Sequence, residues 1–251
     1  LSISIAMCWV APLPLEPFFA FCSFWSDPYL GNYEYAVTGE SMSRFIDAFH
    51  RLGLASDAFT FDAGWQNRKS FFKPKKGLEF ENYPDLSLWI SHNGPMGIDP
   101  DFLRKNGIAV GGGESAAYCG DDYGVLLDPK LEKALTKRFC ELARHARHFK
   151  IDWDNECAVS REFKEKYPTR DHVREGSINA MFRIVASVRK VRPDILIRNG
   201  WWPSPWWLTS AHHVFLSNSG DSEYASLPSF HQRASAATHR DLMYYNHLRR
   251  D

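Results

Sequence analysis

The stretch that decides the fold is Phe149-Lys150-Ile151-Asp152-Trp153-Asp154-Asn155-Glu156. Apolar residues stand at 149, 151 and 153, and charged residues at 150, 152 and 154. That is strict period-two alternation, the pattern of a strand with one apolar and one polar face. Helical patterns flank it on both sides. Leu131, Ala134, Leu135, Leu142, Ala143 and Ala146 form a stripe before it, and Ile178, Met181, Phe182, Val185, Val188 and Val191 form one after it. A strand between two helices belongs to a parallel sheet with helices outside. The polar face then points into a barrel, placing Lys150, Asp152 and Asp154 inside, near a strand end. Buried charges are costly unless paired or used, so this is where chemistry is sought.

The bulk numbers fit one α/β barrel or two small domains in 251 residues. The formal net charge is zero. No basic field points to nucleic acid, and no acidic tail points to a cationic partner. Nine Trp, ten Tyr and eighteen Phe are an aromatic excess that serves either a core or a sugar platform. The five cysteines, at 8, 22, 119, 140 and 157, form no C-x-x-C pair. A zinc or redox motif is unsupported, and free, mostly buried thiols are expected, with one or two disulfides left open. No run reaches transmembrane length, so no membrane span is expected. Compartment and oligomeric state stay open.

Taken in order, residues 1–16 are apolar and broken by Pro12 and Pro14, a linker or the end of a preceding domain. The barrel is expected over 17–251. Phe18–Trp25 reads as its first strand. Met42, Phe45, Ile46, Phe49 and Leu52 recur at helical spacing before Gly53. Asp57–Trp65 is a second strand, 67–84 an aperiodic Lys-rich loop, and Leu86–Ile90 a third strand. Ile108–Gly113 is a small strand or loop. Its three glycines lack the spacing and lysine of a phosphate loop. Asp128-Pro129 starts a helix with a cap and a first-turn proline. A loop around Pro168 precedes the next helix. Asp194–Arg198 and His213–Leu216 are further strands, and a last helix runs from about Gln232 to Leu248. About six strands alternate with helices, so the expected fold is an incomplete (β/α)8 barrel, truncated at its C-terminus. Function in that architecture gathers at the strand C-termini.

Two carboxylates stand at such ends, Asp152 and Asp221. A pair of carboxyl groups flanking a glycosidic bond is the minimum set for glycoside hydrolysis. At about 5–5.5 Å one acts as nucleophile with retention, and at about 6.5–9.5 Å a water fits between them with inversion. A solvated loop aspartate is the plain alternative for either. His145/His148 and His212/His213 lack the spacing of H-E-x-x-H, so neither a metal nor a cofactor is implied. His239-Arg240-Asp241 echoes a kinase catalytic loop without its companion motifs. Glu156, Arg198 and Asn199 sit at strand exits, where pocket lining and structural pairing are both open; Arg198 and the nearby Trp201 are carried forward as candidate substrate contacts.

The motifs resemble the α-galactosidase superfamily, the clan of glycoside hydrolase families 27 and 36, and family 36-like bacterial proteins most. Asp62-Ala63-Gly64-Trp65 is similar to that family's D-D-G-W on the second barrel strand. Phe149-Lys150-Ile151-Asp152 matches its K-x-D on the fourth. Trp202-Pro203-Ser204-Pro205-Trp206-Trp207-Leu208, followed by Val214 to Asp221, resembles the region supplying its acid/base. His239-Arg240-Asp241 resembles its Y-R-D element. The matches run in order from about residue 18 to 245. The resemblance implies a retaining α-glycosidase acting on terminal galactose-type sugars of an oligosaccharide or glycoconjugate. It implies Asp152 as nucleophile and Asp221 as acid/base. Lys150 and Asp62 would bind sugar hydroxyls, and Trp25 and Trp65 would wall the pocket. By the alternation alone, Asp154 is an inward alternative to Asp152, placed to contact substrate or to pair with Lys150.

Two positions depart from the family pattern. Ala63 replaces the second Asp of D-D-G-W, which in relatives binds a substrate hydroxyl. This puts the sugar in question, and α-N-acetylgalactosamine or α-glucose are alternatives, as is a non-catalytic carbohydrate-binding barrel. Ser217-Asn218-Ser219-Gly220 precedes Asp221, and alignment to an S-D-N-T-D form places Asn218 at the acid/base position instead. The W-P-S-P anchor fixes the spacing in favour of Asp221.

Overall fold

A computed structural model of the protein describes residues 18–23, 37–67, 69–92, 97–112, 123–152, 158–199, 211 and 213–214. Its frame is one six-stranded parallel sheet. The strands are β1 (Ala20–Cys22), β2 (Ala58–Phe61), β5 (Leu86–Ile90), β8 (His148–Ile151), β9 (Leu196–Asn199) and β10 (His213–Val214), hydrogen-bonded in that order. Every neighbour follows its predecessor in sequence and runs parallel to it. Sequential parallel strands joined by helical crossovers are the construction of a (β/α) barrel, and the described residues form an incomplete one. The expected last helix and the Asp221 strand end lie outside the described residues, as does 1–16.

The helices form where the sequence pattern places them. The first, α1 (Gly39–Arg51), is closed at its start by a capping box in which the Thr38 and Ser41 side chains accept each other's backbone N–H. A short helix, α2 (Pro100–Lys105), carries an Asp99 cap and a first-turn proline. The helix feeding β8, α3 (Pro129–Leu142), buries Leu131, Leu135, Phe139 and Leu142 against the sheet. A single turn, α4 (Arg161–Lys164), stands in the expected Pro168 loop. The long α5 (Arg170–Val191) is capped by Thr169 and buries Val173, Ser177, Ala180, Met181, Ile184, Val185 and Val188. Val191, expected in that stripe, is exposed, because the buried face drifts away from it over the last turn. Arg183 of α5 forks onto both Glu132 oxygens of α3, at 2.7 and 2.8 Å. That pair is exposed and contributes at most about 1 kcal/mol.

Residues 67–84 are more ordered than a loop reading allows. A small antiparallel ribbon, β3 (Gln66–Asn67) with β4 (Lys73–Pro74), opens the segment, and a 3-10 turn spans Phe80–Asn82. Phe72, Leu78, Phe80 and Tyr83 are all buried. Their spacing follows an irregular backbone, so no helix or strand period marks them. Phe72 has a φ of 51°, an uncommon conformation for a bulky side chain. The Arg138 guanidinium of α3 holds it by donating two hydrogen bonds to the Phe72 carbonyl. A second ribbon pairs β6 (Val110–Gly111) with β7 (Tyr123–Gly124), so part of the glycine-rich segment is strand. The first parallel strand is also shorter than the apolar run that marks it.

Asp128 carries more than a helix cap. One carboxylate oxygen accepts the Lys130 N–H at 2.9 Å, and the other accepts the Ala109 N–H at 2.8 Å. Asp128→Ala leaves two N–H groups without acceptors. We expect a loss of about 2 kcal/mol, read as a Tm lowered by roughly 4–8 °C. An unchanged Tm would show that water replaces the carboxylate at no cost.

Candidate active site

The inner face of the sheet changes character from bottom to top. At the register level of Thr60, Ser87 and His148 the interior is polar. Thr60 Oγ1 and Ser87 Oγ are 2.8 Å apart, and Ser87 Oγ and His148 Nδ1 are 2.7 Å apart, all buried. Two residues further along each strand the interior becomes charged. Trp89, Lys150 and Arg198 occupy one register across β5, β8 and β9. Asp62 follows Phe61 at the end of β2, and Asp152 follows Ile151 at the end of β8. The alternation read from 149–152 therefore holds. Phe149 turns outward, its ring 6.1 Å from Phe139 of α3, while Lys150 turns inward.

Lys150 Nζ lies 2.7 Å from Asp62 Oδ2, with the two side chains 11% and 2% exposed. The Cys22 thiol donates to the same oxygen at 3.0 Å and lies 3.7 Å from the ammonium. Asp62 Oδ1 accepts the Ala63 N–H, and the Asp62 N–H donates to Ser23 Oγ. Burial pulls the lysine pKa down. Asp62, with Cys22 and Asp152, pushes it up by more, against Arg198, so the net shift is upward.

Asp152 is fixed from a neighbouring strand. Its N–H donates to the Ile90 carbonyl at 2.9 Å. Its Oδ2 accepts the indole N–H of Trp89 at 2.8 Å. Trp89 is itself held, since its carbonyl accepts the Trp65 indole N–H at 2.6 Å. Trp65, expected to wall a pocket, is instead fully buried with its ring 5.6 Å from Phe80. It supports Trp89 from behind.

The structure thus brings Asp62, Lys150, Asp152 and Arg198 together at the C-terminal ends of β2, β8 and β9. Trp25, Asp154, Trp201, Asp221 and Asn218 lie outside the described residues. Trp89 and Cys22 were not singled out in the sequence. The signal for Trp89 was present: in Leu86-Ser87-Leu88-Trp89-Ile90 the period-two rule puts Ser87 and Trp89 on one face. Cys22 and Cys140 are half-buried and form no disulfide among the described residues. Among the described residues no group of His, Cys, Asp and Glu could hold a metal ion, and no helix is long and apolar enough to cross a membrane. A groove of about 460 Å³ lies elsewhere, between the β4–Tyr83 segment and the C-terminal half of α3. None of Asp62, Lys150, Asp152 and Arg198 lines it.

Solved structures share this architecture. The α-galactosidase AgaB of Geobacillus stearothermophilus superposes with a TM-score of 0.64 at 12% identity, over 91% of this chain and 33% of that one. The α-galactosidase of Lactobacillus brevis gives 0.62 at 13%, over 89% and 31%. The Thermus thermophilus α-galactosidase in complex with stachyose gives 0.62 at 14%, over 96% and 55%. The fold is that of the α-galactosidases. This chain spans about a third of the length of the first two and about half of the third. No protein-family model and no curated protein matches its sequence. The likeness is therefore one of fold, and it bears out the incomplete barrel expected from the sequence.

Two outcomes are expected from the buried groups. Lys150→Met strands the Asp62 carboxylate and should cost about 3–5 kcal/mol in urea unfolding. Adding Asp62→Asn should recover much of it, and a double variant no better than the single would refute the pairing. Because the lysine pKa is raised, its share of stability is complete below the unfolded value and persists through the neutral range. His92 behaves oppositely. It is 2% exposed, its Nδ1 has no hydrogen-bond partner among the described residues, and burial lowers its pKa to about 4. The unfolded chain takes the proton below about pH 6.5 and the folded one resists. The contribution is thus full above 6.5 and lost as pH falls through about 4, by roughly 3 kcal/mol. His92→Asn should flatten that limb of the stability–pH curve.

Proposed function

We propose that the protein is a retaining α-glycosidase that hydrolyses terminal α-linked galactose-type sugars by double displacement. The observation that carries this reading is the Asp152 carboxylate, held by the Trp89 indole at the C-terminal end of a central barrel strand. The buried Lys150–Asp62 pair stands beside it. The α-galactosidase fold and the ordered motifs add support. Asp152 is the nucleophile and Asp221 the acid/base. Lys150, Asp62 and Arg198 contact sugar hydroxyls, with Asp154, Trp25 and Trp201 as further contacts.

The reaction places charge where the site can meet it. As the glycosidic bond stretches, the anomeric carbon becomes oxocarbenium-like and is stabilised by a carboxylate beneath it. The acid must carry its proton when it acts, which apolar surroundings favour. Trp206, Trp207 and Phe215, close to Asp221 in sequence, suit that task. Lys150 and Asp62 have the donor and acceptor inventory to read adjacent hydroxyls.

Ala63 favours a second reading within the same chemistry. It is buried beside Asp62, where the family pattern has a hydroxyl-binding carboxylate. A different terminal sugar, α-N-acetylgalactosamine or α-glucose, is then the substrate.

The test is an aryl α-glycoside panel with galactose, N-acetylgalactosamine and glucose as glycone. The wild type should turn over one of them and release the α-anomer first, as NMR of the initial product shows. Asp152→Asn should lower kcat/KM by at least about 10³-fold. A first-formed β-anomer would exclude the double displacement. A wild type that binds sugar yet hydrolyses none would make the protein a carbohydrate-binding barrel.

A further inference from the structure

We infer that Trp89 is a positioning residue for the Asp152 nucleophile, its indole N–H setting which carboxylate oxygen attacks; this rests on the α-glycosidase reading. The geometry has three parts. The Trp89 Nε1–H donates to Asp152 Oδ2 at 2.8 Å. Trp89 sits mid-sheet in register with Lys150, between β2 and β8, with its ring 1% exposed. Its carbonyl is tied by the Trp65 indole N–H, and the Asp152 N–H is tied to Ile90 of the same strand as Trp89. The donor and the acceptor are therefore both anchored to β5, and the carboxylate is oriented by a rigid neighbouring strand.

The consequence follows from the bonds exchanged. In the first step Asp152 Oδ1 forms the bond to the anomeric carbon. The bond from that carbon to the leaving oxygen breaks, its electron pair goes to that oxygen, and the acid/base supplies the proton. Oδ2 becomes the carbonyl oxygen of the glycosyl ester. In the second step water, losing its proton to the same base, displaces the ester and both oxygens again share the charge. An N–H on Oδ2 therefore persists through both steps. It holds Oδ1 toward the sugar in the first and stabilises the departing carboxylate in the second. Substrate hydroxyls are bound elsewhere, so the effect falls on kcat.

A purely structural role is the competing explanation, because a buried indole N–H needs some acceptor. Site-specific replacement of Trp89 by β-(3-benzothienyl)alanine separates the two. It preserves ring shape and removes only the donor; Trp89→Phe serves as a second variant. In the intact protein, the benzothienyl variant should lose about 10–100-fold in kcat, the size of a hydrogen bond to a charged group. Its KM should stay within about threefold and its Tm close to wild type. The indole ¹⁵N–¹H resonance of Trp89 should move upfield in Asp152→Asn. An active wild type whose benzothienyl variant keeps kcat within about twofold overturns this inference alone, as does an unmoved indole resonance. A wild type inert on every α-glycoside overturns the α-glycosidase reading and this inference with it.

Discussion

The rest of the site depends on the contact between Lys150 and Asp62. These residues stand on β8 and at the end of β2, strands that are not neighbours, because β5 lies between them. In a flat sheet their backbones would sit about 10 Å apart. A 2.7 Å contact closes that gap with one long and one short side chain over the inner face. The pair therefore ties the end of β2 to β8 across the inner face of β5. It also has to offset the desolvation of two charges, which Coulomb attraction alone does not always achieve. Extra donors to the carboxylate, the Cys22 thiol and the Ala63 N–H, complete its hydrogen bonding.

Around that pair the barrel interior is graded. The lower level, Thr60, Ser87 and His148, is a buried hydrogen-bonded chain. The level above it carries Trp89, Lys150, Asp62 and Arg198, and Asp152 ends the series. The gradient puts expensive groups at the strand C-termini, where loops gather in this architecture. The outer face has no such gradient. Phe21, Phe45, Phe49 and Phe59 pack ring to ring between β1, β2 and α1. That division of labour leaves the inner face free to spend stability on function.

The parts legible in the sequence are those with a regular period or a local cap. Alternation at 149–152 gave the inward lysine and aspartate, and Asp128-Pro129 marked a helix start that the structure retains. The strand Leu86–Ile90 was legible, but as an all-apolar run its tryptophan passed for a core residue. Trp89 is indeed core by burial, and only its partner across the sheet reveals the other role. The segment around Phe72, Leu78 and Phe80 was illegible for a different reason. Its buried side chains are placed by an irregular backbone that Arg138, distant in sequence, holds in position. Trp65 was read from motif position as a wall. Burial makes it a brace, and no local pattern distinguishes the two. Cys22 carried no signal at all, since a thiol beside a carboxylate arises only from the pairing of β1 with β2.

The charge balance at the mouth sharpens what Ala63 changes. Among the described residues Asp62 and Asp152 are opposed by Lys150 and Arg198, two negative groups and two positive, so they sum to zero. Asp62 and Lys150 neutralise each other at contact distance, and Arg198 stands on the far side of Lys150 from β5. A second aspartate at position 63 would add a negative charge next to Asp62 with no further described cation to meet it. With alanine there, the Asp62–Lys150 pair stays balanced, and the Asp152 carboxylate stands beside it at the end of β8. In the proposed reaction that is the group on which a developing oxocarbenium would draw. Alanine at 63 therefore leaves the charge balance among Asp62, Lys150, Asp152 and Arg198 as it stands.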